Sequence, residues 1–277
     1  MNKQSLPLTG LKVLYLALHF VLMVFPLYWI VITSLKPQKE IFAFPIRYWP
    51  EQFTLDNYIQ IFKISKFHIY IGNSLLISIT AAVIVIFIAI LSGYVMARFK
   101  FRGHKQIMMA FFSTQMLPGF IALAPLYLLM SDLDLINTRM SLVISYTVML
   151  IPFSTIMLRG FFQRIPGSLE EAAMIDGCSR LTALLRVIIP IMMPGIASTF
   201  IFAFVQNWNE LFMAVMFIDD EALKTIPVAM NSFVMKFDVD WGAMSAGTVL
   251  SVIPTVVLFA FAQRFIVEGL TQGAEKG

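Results

Sequence analysis

Six stretches of the chain are almost wholly apolar, and most polar and charged residues lie between them. A helix needs about 20 apolar residues, at 1.5 Å each, to cross roughly 30 Å of hydrocarbon. Each stretch meets this length, and none shows the strict alternation of a barrel strand. The pattern predicts an all-α membrane protein with six transmembrane helices, at about 11–35, 72–97, 106–131, 140–162, 187–218 and 244–267.

Composition agrees with this pattern, since 59% of the 277 residues are hydrophobic and only 13% are charged. A folded soluble surface needs more charge than this, which excludes an ordinary cytoplasmic enzyme, a disordered chain and a nucleic-acid-binding protein. The first apolar stretch is about twice as long as a signal-peptide core, so we expect it to be retained. No internal repeat is visible, and we expect one transmembrane domain over residues 1–277.

The distribution of charged residues predicts the orientation in the membrane. If the N-terminus is inside, the inner segments hold twelve basic and five acidic residues, and the outer segments hold eight basic and ten acidic residues. The inner side then has an excess of basic residues, and Glu210 is the one acidic residue that lies within an apolar stretch. We therefore expect both termini to be cytoplasmic. The net charge of +4 reflects membrane topology rather than an affinity for nucleic acid.

The inner segment at about 163–190 predicts a short helix between two spans. Ser168, followed three residues later by Glu171, has the spacing of a capping box, so a helix should begin there. Gly177 is expected to end this helix in the left-handed conformation. Ala173 lies four residues before Gly177, which predicts a face of small residues that another surface can approach. A surface helix that only links two spans is the alternative.

This segment resembles the EAA loop of ABC importer permeases. The family pattern is EAA, three residues, G, nine residues and I-x-L-P, and it is matched here by Glu-Ala-Ala at 171–173, by Gly177 and by Val-Ile-Ile-Pro at 187–190. In that family the loop forms a coupling helix that docks into a cleft on the ATP-binding subunit. The resemblance implies this docking role for Glu171, Ala172, Ala173, Asp176 and Gly177.

Essentially the whole chain is similar to carbohydrate permeases of that class, and in particular to the second, six-span permease subunit of maltose/maltodextrin transporters. Residues 25–37, 55–58, 73–75 and 265–277 carry this likeness, and residues 208–210 and 240–242 fit it as well. It implies a type I ABC importer bundle in a bacterial-type cytoplasmic membrane. It also implies a homologous second permease subunit, two ATP-binding subunits that hold ATP and magnesium, an extracytoplasmic sugar-binding protein, and a sugar substrate that we expect to be an oligosaccharide.

Two further segments acquire expected roles from the resemblance. The C-terminal tail at 268–277 would reach between the two ATPase subunits, through Gly269, Leu270, Thr271, Gly273 and Lys276. The last external loop, at 219–243, would probe the cleft of the sugar-binding protein, through Asp240, Trp241 and Gly242.

The fifth apolar stretch contains a polar face, and a charge inside a membrane should face the bundle interior or water. The spacing places Gln206, Asn209 and Glu210 on one side of a helix, flanked by Asn207 and Trp208. One interpretation is that these five residues line the translocation path and contact sugar hydroxyls. The other is that Glu210 pairs with the partner permease and Trp208 belongs to an interfacial aromatic belt.

No catalytic machinery is predicted on this chain. It has no phosphate-binding loop, no Ser/His/Asp or Cys/His arrangement, and no His or Cys pair at metal-ligand spacing. We therefore expect no catalytic residue, metal or cofactor, with ATP hydrolysis left to partner subunits. Two alternatives stay open, an ABC permease for another solute such as glycerol phosphate, and a secondary carrier.

Overall fold

The structure is a computed structural model that describes residues 6–63, 66–233 and 239–274. The described residues form helices joined by loops. In chain order the α-helices are α1 (Leu6–Ser34), α2 (Gln38–Ile41), α3 (Asp56–Lys63), α4 (Phe67–Arg98), α5 (His104–Met116), α6 (Leu123–Asp132), α7 (Arg139–Arg164), α8 (Ser168–Ile175), α9 (Arg180–Ala183), α10 (Ile189–Trp208), α11 (Phe212–Phe217), α12 (Ile226–Ser232) and α13 (Trp241–Ala274).

Five helical stretches among the described residues are long and apolar enough to cross a membrane, and a bent pair of helices supplies a sixth. The all-α membrane fold predicted from the sequence is confirmed. The expected third span, 106–131, is the bent pair, in which α5 and the segment Gly119–Asp132 meet at 102°. The backbone turns at Leu117 and Pro118, because proline lacks an N–H and keeps the residue before it out of the helical conformation.

The expected fifth span, 187–218, is not one helix. A helical stretch runs from Arg180 to Trp208, and α11 follows as a separate helix. The stretch contains a π-helical segment, Leu184–Ile188, just before Pro190. Pro190 has no N–H to donate to the preceding turn, which accounts for the local change of hydrogen bonding. The expected span was therefore too long at its C-terminal end and too short at its N-terminal end.

Residue contacts divide the chain into two compact units, and the larger one comprises residues 69–228 and 254–277. Within it, α7 packs against α5, α10 and α11. One buried cluster surrounds Leu142 and Tyr146, and another surrounds Leu158 and Phe162. Gly195 permits a close approach between helices, because a Cβ there would lie 2.6 Å from the Phe161 ring.

The smaller unit comprises residues 1–68 and 229–253. Its loop after α1 is held by Asn57, whose buried amide donates to the carbonyls of Ser34 and Lys36, both at 2.9 Å. Lys36 and Glu40 are buried in the same segment, Glu40 within the short helix α2. The Lys36 ammonium donates to the Arg47 carbonyl, and the Glu40 carboxylate accepts from the Glu51 amide at 2.9 Å. The loop is therefore an ordered part of the fold.

Candidate functional site

The short helix α8 matches the helix expected in the EAA-like segment, but its start differs from the prediction. The backbone is already helical at Gly167, with φ −62° and ψ −25°, and the amides of Glu170 and Glu171 donate to its carbonyl. The helix thus begins before Ser168 can act as its N-cap, and the predicted capping box is wrong. Glu170 and Glu171 still occupy the first turn, where a negative charge suits the helix dipole.

The C-terminal end of α8 is as predicted. Gly177 has φ +88°, in the left-handed region where glycine is favoured. The Gly177 amide donates to the Met174 carbonyl at 3.1 Å, and the Cys178 amide donates to the Ala173 carbonyl at 3.0 Å. This pair of bonds is a Schellman motif, which satisfies the last carbonyls and stops the helix sharply.

Two neighbouring carboxylates of α8 face opposite ways. Glu170 is only 7% exposed, and its carboxylate accepts from the Arg98 guanidinium at 2.6 Å and from the Tyr94 hydroxyl at 3.0 Å. Arg98 also donates to the Ile165 carbonyl at 2.9 Å. Glu171, in contrast, is exposed. No local pattern signals the roles of Tyr94 and Arg98, since both lie more than 70 positions before their partner.

The outward surface of α8 combines charged and apolar side chains. Of the five residues with an expected docking role, Glu171, Ala172, Asp176 and Gly177 are exposed and Ala173 is buried. Ala173 therefore packs within this chain. Of the two small residues expected to form an open face, only Gly177 is exposed. Ile175 was not among the expected residues, but it is 86% exposed and gives this surface an apolar centre.

The polar residues at the end of α10 occupy different environments. Gln206 and Asn209 are exposed, Glu210 is half-buried, and Asn207 and Trp208 are buried. Trp208 is only 3% exposed and stacks on Phe204 at 5.4 Å between ring centroids. Its ring is thus packed inside the protein rather than presented as a platform for a ligand.

A cavity of about 570 Å³ lies beside this polar face. Three of the five expected residues line it, namely Gln206, Asn207 and Glu210, together with Tyr146 and Phe120. The bend of the third span forms part of the wall through Gly119 and Leu123. The Asn207 side chain is 5% exposed, and its amide nitrogen has no hydrogen-bond partner among the described residues. The cavity therefore has apolar walls with a few polar groups, as small-molecule sites do.

Glu210 is held by three hydrogen bonds. Its carboxylate accepts from the Tyr146 hydroxyl at 2.9 Å, and from the backbone amides of Met213 at 2.9 Å and Ala214 at 3.2 Å. The two amides belong to the first turn of α11, so Glu210 satisfies donors that the helix itself leaves unpaired. This carboxylate explains why the chain can begin a new helix inside an apolar stretch.

The three residues expected to face a binding protein have distinct roles. Asp240 accepts from the Ala243 amide at 2.9 Å and from the Gln60 side chain at 2.8 Å, so it caps α13. Gly242 lies against Asn57, and a Cβ at this position would be 2.8 Å from the Asn57 Cγ. Trp241 is 49% exposed. Of the three, Trp241 is the side chain with free surface for a partner.

The segment Asp219–Lys224 begins the same expected loop and is tied to the larger unit. The Asn137 side chain accepts from the amides of Asp219 and Asp220, at 3.1 Å and 2.9 Å. The Asn73 amide donates to the carbonyls of Ala222 and Lys224, both at 2.9 Å. Hydrogen bonds from Lys224 and then from Tyr70 hold the pKa of the Glu221 carboxyl below its usual value.

The expected tail residues extend the last span. Gly269, Leu270, Thr271 and Gly273 belong to α13, and Lys276 lies outside the described residues. Among the described residues, no group of three or more His, Cys, Asp or Glu side chains is placed to hold a metal ion. Cys178 is a free, half-buried thiol just after α8.

Comparison with known proteins gives the class of this chain. Residues 86–272 match the family described as binding-protein-dependent transport system inner membrane component. This match covers well over half of the sequence, so the chain belongs to that family of ABC importer permeases. The resemblance seen in the EAA-like segment is confirmed, and the secondary-carrier alternative is excluded.

Two relatives and one solved structure are similar over nearly their whole length. The diacetylchitobiose uptake permease DasC of Streptomyces coelicolor is 35% identical, with 93% of this chain and 94% of the relative covered. The trehalose/maltose permease MalG of Thermococcus litoralis is 30% identical, with 93% of each covered. A chain of a bacterial ABC transporter that imports alginate has a TM-score of 0.82 at 20% identity, over 95% of this chain and 98% of that one.

Proposed function

We propose that this chain is one of two permease subunits of an ATP-driven importer that takes up an oligosaccharide delivered by an extracytoplasmic binding protein. The observation that carries the substrate class is the similarity to DasC and MalG, both named for sugars, over more than nine-tenths of the chain. The chain contributes half of the path and hydrolyses no ATP itself. ATP and magnesium are bound by two partner ATPase subunits.

The surface of α8 docks into a cleft on one ATPase subunit. Glu171, Ala172, Asp176 and Gly177 are all exposed, as this role requires. The exposed Ile175 side chain adds apolar surface whose burial in the cleft would favour docking. Ala173 supports the helix from within. The Schellman motif keeps α8 short and well defined, so that it can transmit displacement.

In the membrane, both termini and α8 lie on the cytoplasmic side. The excess of Lys and Arg in the segments on that side supports this orientation. Trp241, on the opposite side, is available to the binding protein. The C-terminal tail reaches between the ATPase subunits. Its residues in this role are Gly269, Leu270, Thr271, Gly273 and Lys276.

The cavity beside α10 forms part of the sugar's path. Gln206, Asn207 and Glu210 supply both donors and acceptors at its wall, which suits the hydroxyl groups of a sugar. Trp208 and Asn209 adjoin these residues in sequence but do not line the cavity. During alternating access, closure of the ATPases moves α8, and the bundle exchanges an inward-open state for an outward-open one.

Co-purification with an ATPase subunit tests the proposal. The chain is co-expressed with candidate genes for a second permease, an ATPase subunit and a binding protein from the same organism. We expect a stable complex whose ATP hydrolysis is stimulated by the binding protein, and uptake of at least one of diacetylchitobiose, trehalose or maltose. Recovery of the chain without any ATPase subunit would contradict the proposed function.

The variant Glu171→Arg examines the docking surface within the same complex. We expect normal membrane levels but loss of ATPase co-purification, because a charge is reversed at the docking surface. Lys105→Glu is the matched control, since it reverses an exposed charge in α5 on the same expected side of the membrane. If Glu171→Arg associates with the ATPase subunit as the wild type does, this surface of α8 is not part of the ATPase contact.

A further inference from the structure

Glu170, Arg98 and Tyr94 form a buried cluster that joins α8 to the C-terminal end of α4. The Glu170 carboxylate uses one oxygen for Arg98, at 2.6 Å, and the other for Tyr94, at 3.0 Å. The exposed fractions of the two charged side chains are 16% for Arg98 and 10% for Glu170. Charge-assisted hydrogen bonds of this kind are short and strong, and burial shields them from screening by salt.

The same cluster also includes the joint between α7 and α8. Arg98 donates a second hydrogen bond to the Ile165 carbonyl at 2.9 Å, one residue after α7 ends. The Tyr94 ring packs edge-on against Phe162 in the last turn of α7, with 5.5 Å between centroids. Three helix ends therefore meet at one ion pair, and α8 cannot be displaced alone without breaking it.

The other ion pairs of the described structure differ from this one. Arg47–Glu51 and Lys224–Glu221 each join residues three or four positions apart within one segment. They connect nothing distant, whereas Arg98 and Glu170 are 72 positions apart. Exposed local pairs also contribute little to stability, while a buried pair is strongly destabilised when one partner is removed.

We propose that the Glu170–Arg98–Tyr94 cluster is the mechanical link that passes displacement of α8 into the membrane-spanning helix α4. Glu170 is thus a positioning residue whose role is distinct from that of its neighbour Glu171, which faces the ATPase. This inference rests on the proposed docking of α8. It adds a specific connection from that docking surface to α4. It also gives two adjacent glutamates different roles, since Glu171 contacts the ATPase and Glu170 connects α8 to α4.

Spin-label distances in the complete transporter test the link without requiring a known sugar. One label is attached to the native Cys178, three residues after α8, and the other to Lys100→Cys, two residues after α4. Without nucleotide, and when trapped with ATP and vanadate, the wild-type complex should give the same narrow distance, because α8 and α4 move together. In Glu170→Gln we expect the ATP state to show a shifted and broadened distance, since α8 then moves without α4.

Three additional variants separate a mechanical role from a general loss of folding. Exchange of the charges in Glu170→Arg with Arg98→Glu should recover much of the narrow distribution. Tyr94→Phe removes one hydroxyl and no charge, so it should give a smaller shift even if Glu170→Gln accumulates poorly. Glu51→Gln, which removes an exposed ion pair, is the control and should match the wild type.

ATP hydrolysis and co-purification are measured on the same samples. We expect both to stay near wild type in Tyr94→Phe and in the charge-exchanged protein, while coupling of hydrolysis to binding-protein stimulation falls in Glu170→Gln by about tenfold, within the range typical of coupling between sites. Unchanged distances in both Glu170→Gln and Tyr94→Phe, in complexes that hydrolyse ATP, would overturn the link. Absence of the ATPase from the wild-type complex would instead overturn the proposed function.

Discussion

At the scale of single residues, buried and half-buried polar side chains of this chain hold backbone groups that lack helical partners. Glu210 accepts from two amides at the start of α11, and Asn57 donates to two carbonyls after α1. Asp240 does the same for the start of α13. An unpaired polar group buried in an apolar environment is expensive, so these contacts explain why polar residues tolerate such positions.

Gly242 is predicted to be intolerant of a side chain. A Cβ would be 2.8 Å from the Asn57 Cγ, and Asn57 is fixed by its bonds to Ser34 and Lys36. Gly242→Ala should lower the free energy of unfolding by about 1–3 kcal/mol, as overpacking does elsewhere. Thermal unfolding of the purified protein in detergent measures this change.

Gly160→Ala is the matched control for Gly242→Ala. Gly160 lies inside α7. Apart from its own helix backbone, no atom lies within 4 Å of the position that a Cβ would occupy there. The alanine should leave stability unchanged or raise it by about 0.5–1 kcal/mol, because alanine favours helices. Equal melting temperatures for the two variants would show that the Asn57 side chain can shift to accommodate a Cβ at position 242.

Glu210→Gln is predicted to weaken the start of α11. A glutamine has one acceptor oxygen where the carboxylate has two, so at least one of the three donors loses its partner. We expect a loss of about 1–3 kcal/mol in the free energy of unfolding. The control Glu51→Gln removes an exposed ion pair and should lower the free energy of unfolding by at most about 1 kcal/mol. A similar loss in the two variants would show that Glu210 has no special role at the start of α11.

At the scale of elements, the helix ends decide where each functional surface lies. The bend at Pro118 and the break between α10 and α11 each supply part of the cavity wall. The π-helical segment before Pro190 joins α9 to α10 without a loop. Each interruption occurs where an N–H is missing or where a side chain supplies the hydrogen bond that the helix lacks.

The end of α8 depends on the backbone conformation of Gly177 rather than on its small size. Apart from its chain neighbours, no atom lies within 4 Å of the position that a Cβ would occupy at Gly177. The backbone φ of +88°, however, lies in the left-handed region. Gly177→Val should therefore destabilise the Schellman turn by about 1–2 kcal/mol and reduce ATPase co-purification. Gly177→Asn should retain both, because asparagine tolerates the left-handed region.

The pair of Gly177 variants also tests the docking contact itself. If the ATPase cleft requires a bare surface at this position, asparagine will reduce co-purification as much as valine does. Equal loss in both variants would therefore show that the cleft contacts Gly177 directly, in addition to any effect of its backbone conformation.

At the scale of the whole molecule, the larger unit brings together the proposed docking surface, the buried cluster and the cavity. The α8 helix contacts the π-helical segment that leads directly into α10, and α10 ends at the cavity. The larger unit thus contains a continuous covalent and packed connection from the proposed docking surface to the proposed sugar path.

The proposed orientation predicts the side from which Cys178 reacts. It is the single cysteine of the chain and is half-buried. A membrane-impermeant maleimide should label it in inside-out vesicles and not in right-side-out vesicles. A protein carrying Cys178→Ser with Glu51→Cys should show the reverse pattern. Labelling of Cys178 in right-side-out vesicles would place α8 on the outer side.

The sequence by itself determined the helical membrane fold, the number of spans and the position of α8 with its C-terminal glycine. These features depend on the length of apolar runs and on local turn chemistry, both of which are properties of neighbouring residues. The EAA-like spacing likewise indicates the family, because it is carried by residues within one short segment. Local patterns were less accurate at helix starts, as the misplaced capping box at Ser168 shows.

Only the tertiary structure decided which of two adjacent glutamates is buried, where the fifth span ends, and that Trp208 is packed within the chain. Glu170 is buried because Arg98 and Tyr94, far away in sequence, lie beside it. Gly242 is required because Asn57 lies against it. These contacts join residues between 72 and 185 positions apart, so no local pattern reveals them. The physical role of each side chain follows from what the fold brings next to it.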